Sequence, residues 1–348
     1  MRFLSVILLL MLMCLGSTGF AQSDTLKLKI PFQDTTYFKS YEDQVIGRFY
    51  FSQKYTSMHI SNDDQHYDLV YQPNTTFNMG VGATYKFATL NIAIGFNFLN
   101  PDKGQGETKY LDLQFHSYGR KIMMDMFGQF YNGFYLSPKG KATDADSYYV
   151  RPDMFVMELG GSAQYVFNNK RFSYRSSFMQ NEWQKKSAGS LLAGVEVFYG
   201  QTRFDSTAIP TVINPEVAAF NYTKMTFVEA GPNVGYAYTL VIKKHFFVHA
   251  SLAISMDYGS TEIAGEGVTS NGNGFSPNTS IKMAAGYNSD LWIVNLLFTN
   301  SGVNMSTSGD NQQVGIDTGN FRIILAKRFV PGSKLKKKLK VIDNVGSK

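Results

Sequence analysis

The chain is poor in the residues that most often carry chemistry. Its 348 residues include one cysteine, two tryptophans and five histidines. The lone Cys14 falls inside an apolar leader, so the mature chain has neither a disulfide nor thiol chemistry available to it. No His-x-His pair occurs, and the one His-x3-His spacing, His245 to His249, falls on an expected strand, where residues four apart stand about 14 Å from one another, so no strand offers a metal site, and no cofactor is expected. Beyond the leader no run approaches the roughly 18 apolar residues that a membrane helix requires. Net charge is also missing where it would matter. The formal +6 comes from Arg2 and from a lysine-rich end, and residues 22–330 sum to zero. A surface that binds nucleic acid would spread basic residues over a folded face, so that partner is excluded.

The leader, Val6 to Leu15 followed by Gly19-Phe20-Ala21, reads as a secretory signal peptide over residues 1–21. Met13 precedes Cys14, where an acylated lipoprotein would need a small residue. Residues 22–43 show no sustained periodicity and read as a periplasmic lead-in. Residues 331–348 form a basic tail with Lys334, Lys336, Lys337, Lys338 and Lys340.

What the body does have is alternation and aromatic rings: 28 Phe and 21 Tyr. In Leu90 to Phe98, Ile92, Ile94 and Phe96 face away from Asn91, Ala93, Gly95 and Asn97. In Tyr110 to Tyr118, Leu111, Leu113 and Phe115 oppose Asp112, Gln114 and His116. A period of two, with one aliphatic face and one polar or small face, is that of a transmembrane β-barrel with lipid outside and a polar lumen. Long and short connections alternate along residues 44–330, as in outer-membrane barrels. The reading is all-β: an antiparallel up-and-down barrel of about twelve strands, with His66 to Phe87 taken as one strand. Long loops are expected over Ser137 to Asp153, Gln201 to Lys224, Gly259 to Pro277 and Ser301 to Thr318. Both termini are expected on the periplasmic side of a bacterial outer membrane. The stretch from Asn168 to Ser190 does not fit. It is expected as a lumen insert or periplasmic loop, with two extra strands, fourteen in all, as the alternative.

The longer motifs carry a resemblance. Ser52-Gln53-Lys54-Tyr55-Thr56-Ser57, Pro73-Asn74-Thr75-Thr76 with Gly80-Val81-Gly82-Ala83-Thr84-Tyr85-Lys86, Asn100-Pro101-Asp102-Lys103-Gly104, Thr108 to Gln114, Tyr118-Gly119-Arg120-Lys121 and the run Gln180 to Ser190 resemble the family described as domain of unknown function 4421. The resemblance covers nearly all of the mature chain. It implies a Gram-negative outer-membrane barrel of uncharacterised activity and brings no catalytic residue.

Strand parity assigns the lumen-facing charges: Arg48, Lys54, Lys86, Lys282, Arg322 and Arg328 against Asp112, Asp125, Glu158, Glu196, Glu229 and Asp257. An unbalanced ring would select ions of the other sign. Six against six points instead to paired groups filling a narrow lumen, because unpaired charges there would be costly to desolvate. His116 and His249 also point inward, with Ser251 beside the latter, which raises a Ser-His-acid lipid hydrolase as an alternative. A soluble secreted β-sandwich binding protein is the other. The aromatics Tyr110, Tyr118, Tyr165, Phe167, Tyr236, Tyr238, Trp292 and Phe329 read as interfacial girdles. Phe329 also resembles the terminal aromatic read by barrel-assembly machinery. The lysine tail, Lys334 to Lys340, is suited to anionic head groups or a periplasmic partner. The resulting expectation is a non-enzymatic barrel in the lipid bilayer, either structural and partner-binding or a narrow solute channel.

Overall fold

The structure, a computed structural model, describes residues 34–345 except 65, 87, 214–221, 266–267 and 306–311. They belong to one compact unit that runs from Gln33 to Lys348. The expected signal peptide and most of the lead-in lie outside the described residues.

In chain order the elements are β1 (Phe38–Ser40), β2 (Val45–Asn62), β3 (Tyr67–Gln72), β4 (Asn78–Tyr85), β5 (Ala88–Gly95), β6 (Lys109–Tyr118), β7 (Ile122–Ser137), β8 (Tyr149–Val166), α1 (Tyr174–Phe178), β9 (Glu182–Gln184), β10 (Ala188–Arg203), β11 (Tyr222–Ile242), β12 (Phe246–Gly265), β13 (Val268–Asn288), β14 (Trp292–Met305), β15 (Gln312–Phe329) and α2 (Ser333–Val345). All wall pairings are antiparallel, and β15 closes on β2 from Phe329↔Val45 to Gln312↔Asn62. Ten strands, β2, β3, β7, β8 and β10 to β15, make the closed ring, and β4, β5 and β6 complete a sheet of thirteen. A sheet closed on itself is a barrel, which removes the soluble sandwich.

The expected twelve becomes thirteen at one place. The stretch read as a single strand from His66 breaks at residues 73–77, so its first part, β3, pairs with β7, while its second part, β4, pairs with the lower half of β2. Pro73 has no N–H to give a ladder. A matching switch occurs on β7. Below Asn132 that strand pairs with β6, above Phe134 with β3, and a register shift separates the two. Gly133 sits at the shift with φ of 92°. That left-handed bulge, with a Cβ excluded by Glu107 O at 2.2 Å, needs glycine.

The segments expected as long loops over 259–277 and 301–318 are in large part paired strand, from Gly259↔Gly274 to Gly265↔Val268 and from Ser301↔Thr318 to Met305↔Val314. Their Gly, Ser and Asn content reads as loop. Ladder bonds come from the backbone, however, and a sheet wet on its outer face needs no apolar side chains there.

Two faces arise from the pleat. On β12 every outward residue from Phe246 to Tyr258 is exposed and every inward one buried. The outward set, with Leu191 62% and Leu252 52% exposed, joins its counterparts on neighbouring strands in an apolar belt. A belt of that extent fits contact with acyl chains, since soluble monomers rarely expose such continuous apolar surface. Toward the long-loop end the pattern inverts. Outward residues become Ser260 and Glu262 on β12, and Gln53 and His59 on β2, while inward ones become Met58, Ile60, Met225, Phe227, Ile263, Val314 and Ile316. Once the outside of the wall is water, the apolar face turns in. Above the belt the barrel therefore has a core of the soluble kind. Of the expected girdle rings, Tyr165, Phe167, Tyr236, Tyr238, Trp292 and Phe329 are exposed. Tyr118 is buried within the lumen, and Tyr110 stacks on lumen Tyr131 at 5.3 Å.

Candidate functional site

The lumen is built in three layers. At the short-turn end it is filled by the segment between β8 and β10, the alternative of two extra wall strands being set aside. Ser173 caps α1 by accepting from Ser176 N at 3.1 Å, and β9 pairs with β1 from Phe38↔Gln184 to Ser40↔Glu182. Backbone groups of this insert, which would otherwise be buried unpaired, are taken up by wall side chains. Asn295 Nδ2 donates to Ser177 O at 2.5 Å. Arg48 reaches Met179 O at 3.4 Å and also donates to Thr84 Oγ1. Arg328, 1% exposed, donates to Gln180 O at 2.7 Å, Glu182 O at 3.3 Å and Asn288 Oδ1 at 3.0 Å, and to Ser289 O. Trp183 Nε1 donates to Lys244 O at 2.7 Å. The Glu182 carboxylate receives Arg120 and Ser173, and Arg175 bridges to Glu42. Burial raises the Glu182 carboxyl above its ordinary range against the pull of Arg120 and Arg175.

The middle layer is polar. Lys282 on β13 reaches across the lumen to Asp125 on β7, which also takes His116 Nδ1 at 2.6 Å and Tyr118 Oη at 2.8 Å. Asp112 receives Lys54 at 2.7 Å, Tyr131 Oη at 2.8 Å and Gln129 at 3.2 Å. Glu196 receives Ser255 at 2.7 Å and Asn233 at 2.8 Å. Asn278 divides its amide between Asp257 at 3.1 Å and Glu229 at 3.3 Å. Glu158 is wholly buried, and neither oxygen has a hydrogen-bond partner among the described residues. A cavity of about 90 Å³ lies here between Gln114, His116 and Asp125 on one side and Lys282, Asn300 and Thr318 on the other. It holds a few waters at most. The third layer is the apolar cluster at the long-loop end, with Tyr71, Leu136, Phe198, Phe204 and Ile209 packed across the barrel.

Of the twelve charges assigned by parity, two pairs meet directly, Lys54 with Asp112 and Lys282 with Asp125. The rest separate along the axis. Arg328, Arg48 and Arg322 lie toward the short-turn end, and Glu158, Glu196 and Asp257, which form no ion pair among the described residues, lie higher, so the expected pairing of all six cations with six anions does not form. Arg322 stacks over Tyr50 at 5.0 Å. Lys86 stands in the β4–β5 turn with φ of 53° instead of on the strand, and its carbonyl receives Asn181 at 3.0 Å.

The hydrolase set is not assembled. His249 Nδ1 bonds Thr239 at 2.9 Å, and its ring is enclosed by Phe172, Tyr174 and Phe178. Asp257 lies eight positions along the same strand, roughly 27 Å away at ~3.4 Å per residue. His116 has its carboxylate in Asp125 and receives no serine among the hydrogen bonds of the described residues. No three His, Cys, Asp or Glu side chains among the described residues converge as metal ligands. Sequence reasoning missed the partners Tyr118, Gln129 and Tyr131 and the whole set of insert carbonyls. Parity alone marks the first three as inward; nothing local marks the carbonyls.

These features define a transmembrane β-barrel with a filled lumen. The chain belongs to the family described as Domain of unknown function (DUF4421), whose model matches residues 33–329. A search of curated proteins returns no significant match. Among solved structures the chain is similar to the outer membrane protease OmpT from Escherichia coli, with 8% identity, TM-score 0.37, 84% of this chain and 98% of that one covered. It is also similar to Neisserial surface protein A, with 8% identity, TM-score 0.24 and coverage of 79% and 96%. The toluene transporter TodX of P. putida gives 6% identity, TM-score 0.24 and coverage of 83% and 91%. Scores this low assign no activity to the chain.

Proposed function

We propose that this protein is an outer-membrane barrel closed to free passage, acting as a structural and partner-binding protein and not as an enzyme. The observation that carries the reading is the double closure of the lumen, by the hydrogen-bonded insert at the short-turn end and by the apolar cluster at the other. A narrow solute channel is the second reading, and the mid-lumen cavity favours it. In either case the short turns, both barrel termini and the lysine tail face the periplasm, where Lys334 to Lys340 meet anionic head groups or a periplasmic partner. Barrel-assembly machinery reads the last strand, β15, during biogenesis. A lipid hydrolase finds no support, since among the described residues neither His116 nor His249 is joined to both a nucleophile and an acid.

The test is planar-bilayer recording of the purified full chain beside a variant whose insert has been undocked, such as Arg328→Ala. The closed reading expects no discrete conductance steps from the native protein and steps from the variant. Steps from the native protein at low applied voltage would establish the channel reading in its place.

A further inference from the structure

The wall has one break at the height of the belt. Below the 73–77 crossing, β5 is held by β4 and β6 by β7, but no ladder joins β5 to β6 among the described residues. The top of this slot is stitched, with Asn74 N donating to Thr108 Oγ1 at 2.8 Å and Thr76 Oγ1 meeting Tyr110 Oη at 2.7 Å. Beneath those bonds both lips are apolar on the outside. Leu90, Ile92 and Ile94 on one, and Leu111, Leu113 and Phe115 on the other, are each at least 55% exposed. On β5 the inward-facing Asn91 and Ala93 are exposed as well, and so is His116 on β6. Strands such as β12, by contrast, bury their inward residues throughout the belt. The slot therefore leads from the acyl-chain region into the lumen.

Two free strand edges cannot face dry hydrocarbon, where each unsatisfied N–H or C=O costs several kcal/mol. Something polar must enter between them. Behind the slot the inner face of β4 is Gly80 and Gly82, on which the Tyr50 ring and the Asn91 amide lie so closely that a Cβ would sit 2.6 and 2.1 Å from them. Arg322 stands over that Tyr50 ring, within electrostatic reach of Arg48 and of Asp112 and Tyr118 on the far lip. It makes no hydrogen bond or ion pair among the described residues, and the Nε atoms of both arginines are buried without a partner. Asp112 and Asp125, the nearby carboxylates, are already engaged by Lys54 and Lys282. The lumen behind the slot thus carries two guanidiniums that form no ion pair among the described residues, Arg48 donating only to Thr84 Oγ1 and Met179 O, and a guanidinium is a planar donor matched to carboxylate and phosphate.

We propose that the β5–β6 slot takes up an anionic amphiphile from the bilayer, its acyl chain lying between the apolar lips and its carboxylate or phosphate head held by Arg322 and Arg48. This uptake goes beyond the closed-barrel reading and does not depend on it, because a conducting lumen would leave the slot and its arginines in place.

The experiment is equilibrium titration of the purified full chain in neutral detergent with dansylated undecanoic acid, followed by displacement with oleate, oleoyl lysophosphatidate and oleyl alcohol. Saturable binding is expected, displaced by one or both anions and at least about tenfold less well by the alcohol. The stronger of the two anions identifies the head group. Arg322→Gln should weaken binding about tenfold or more while Arg322→Lys retains most of it. Ala93→Trp, at an exposed position, should block the slot. Heat-modifiable gel mobility verifies that each variant is folded, and if Arg322→Gln fails that check the Ala93→Trp result decides alone. Absence of saturable binding, equal displacement by the alcohol, or binding indifferent to Ala93→Trp would overturn the proposal.

Discussion

Replacing Arg328 with alanine should release the insert from the barrel mouth without opening the wall. The guanidinium donates to two insert carbonyls, Gln180 O and Glu182 O, and to two acceptors in the β13–β14 turn, Asn288 Oδ1 and Ser289 O. It also stacks on Tyr41 at 3.9 Å, tying down the lead-in. Hydrogen bonds from a charged donor contribute about 1.5–3 kcal/mol each. Losing the two to the insert therefore weakens docking by about 3–6 kcal/mol, partly offset where water replaces the side chain. At about 1.4 kcal/mol per decade, that is a rise of at least a hundredfold in the opening equilibrium. Hydrogen–deuterium exchange in detergent micelles reads it directly, because amides of residues 173–184 should exchange faster by that factor while those in the centre of β12 do not change. Insert exchange unchanged in a folded Arg328→Ala protein would refute the idea that this side chain clamps the insert.

Other consequences are of smaller scope. Lys282→Met leaves the Asp125 carboxylate without its cation inside the lumen and should cost about 3–5 kcal/mol in urea unfolding, whereas Lys282→Met with Asp125→Asn should cost markedly less. Gly133→Ala forces a Cβ onto Glu107 O at a φ of 92°, so it should lower stability by at least ~1–2 kcal/mol, measured in the same assay. The Asp290 carboxylate accepts from Lys39 and Tyr41, and these bonds hold it below the usual carboxylate range. A lowered acid stabilises the docked lead-in above its unfolded pKa and loses that contribution as pH falls through the folded one. The lead-in should therefore become more susceptible to pepsin below about pH 4. Asp290→Asn should show that susceptibility at higher pH, and an unchanged digestion pattern would remove the role.

What was legible in the chain depended on how many forces agreed at a residue. In β12 the apolar set Val248, Leu252, Ile254 and Met256 meets lipid and the set His249, Ser251, Ser255 and Asp257 meets the lumen. There period and environment coincide, and the strand could be read directly. Above the belt the same strand carries Gly259, Ser260 and Gly265, whose pairing is held by backbone bonds that leave no side-chain signature, and the composition alone suggests a loop. The insert was visible as a misfit but not as a plug. Its carbonyls are satisfied by Arg48, Asn295 and Arg328, which lie more than a hundred residues from it in the chain. Parity likewise states which way Asp125 and Lys282 point, not that they meet across the lumen, since one lies on β7 and the other on β13. The break between β5 and β6 was equally hidden. Both strands have faultless alternation, and alternation says nothing of whether an edge is paired.

Membrane placement turns on where water ends and lipid begins along the outer wall, and the shortage of tryptophan makes that boundary measurable. In a Trp183→Phe, Trp292→Phe background, a single tryptophan at Leu252 or at Ser260 reports two heights on the same face of β12, eight residues or about 27 Å apart along the strand. In proteoliposomes containing nitroxide-labelled lipids, the tryptophan at position 252 should be quenched by labels deep in the acyl chains and shielded from aqueous iodide. That at position 260 should respond to iodide and not to the deep label. Iodide quenching of both, with no effect of the lipid labels, would contradict the membrane-embedded barrel.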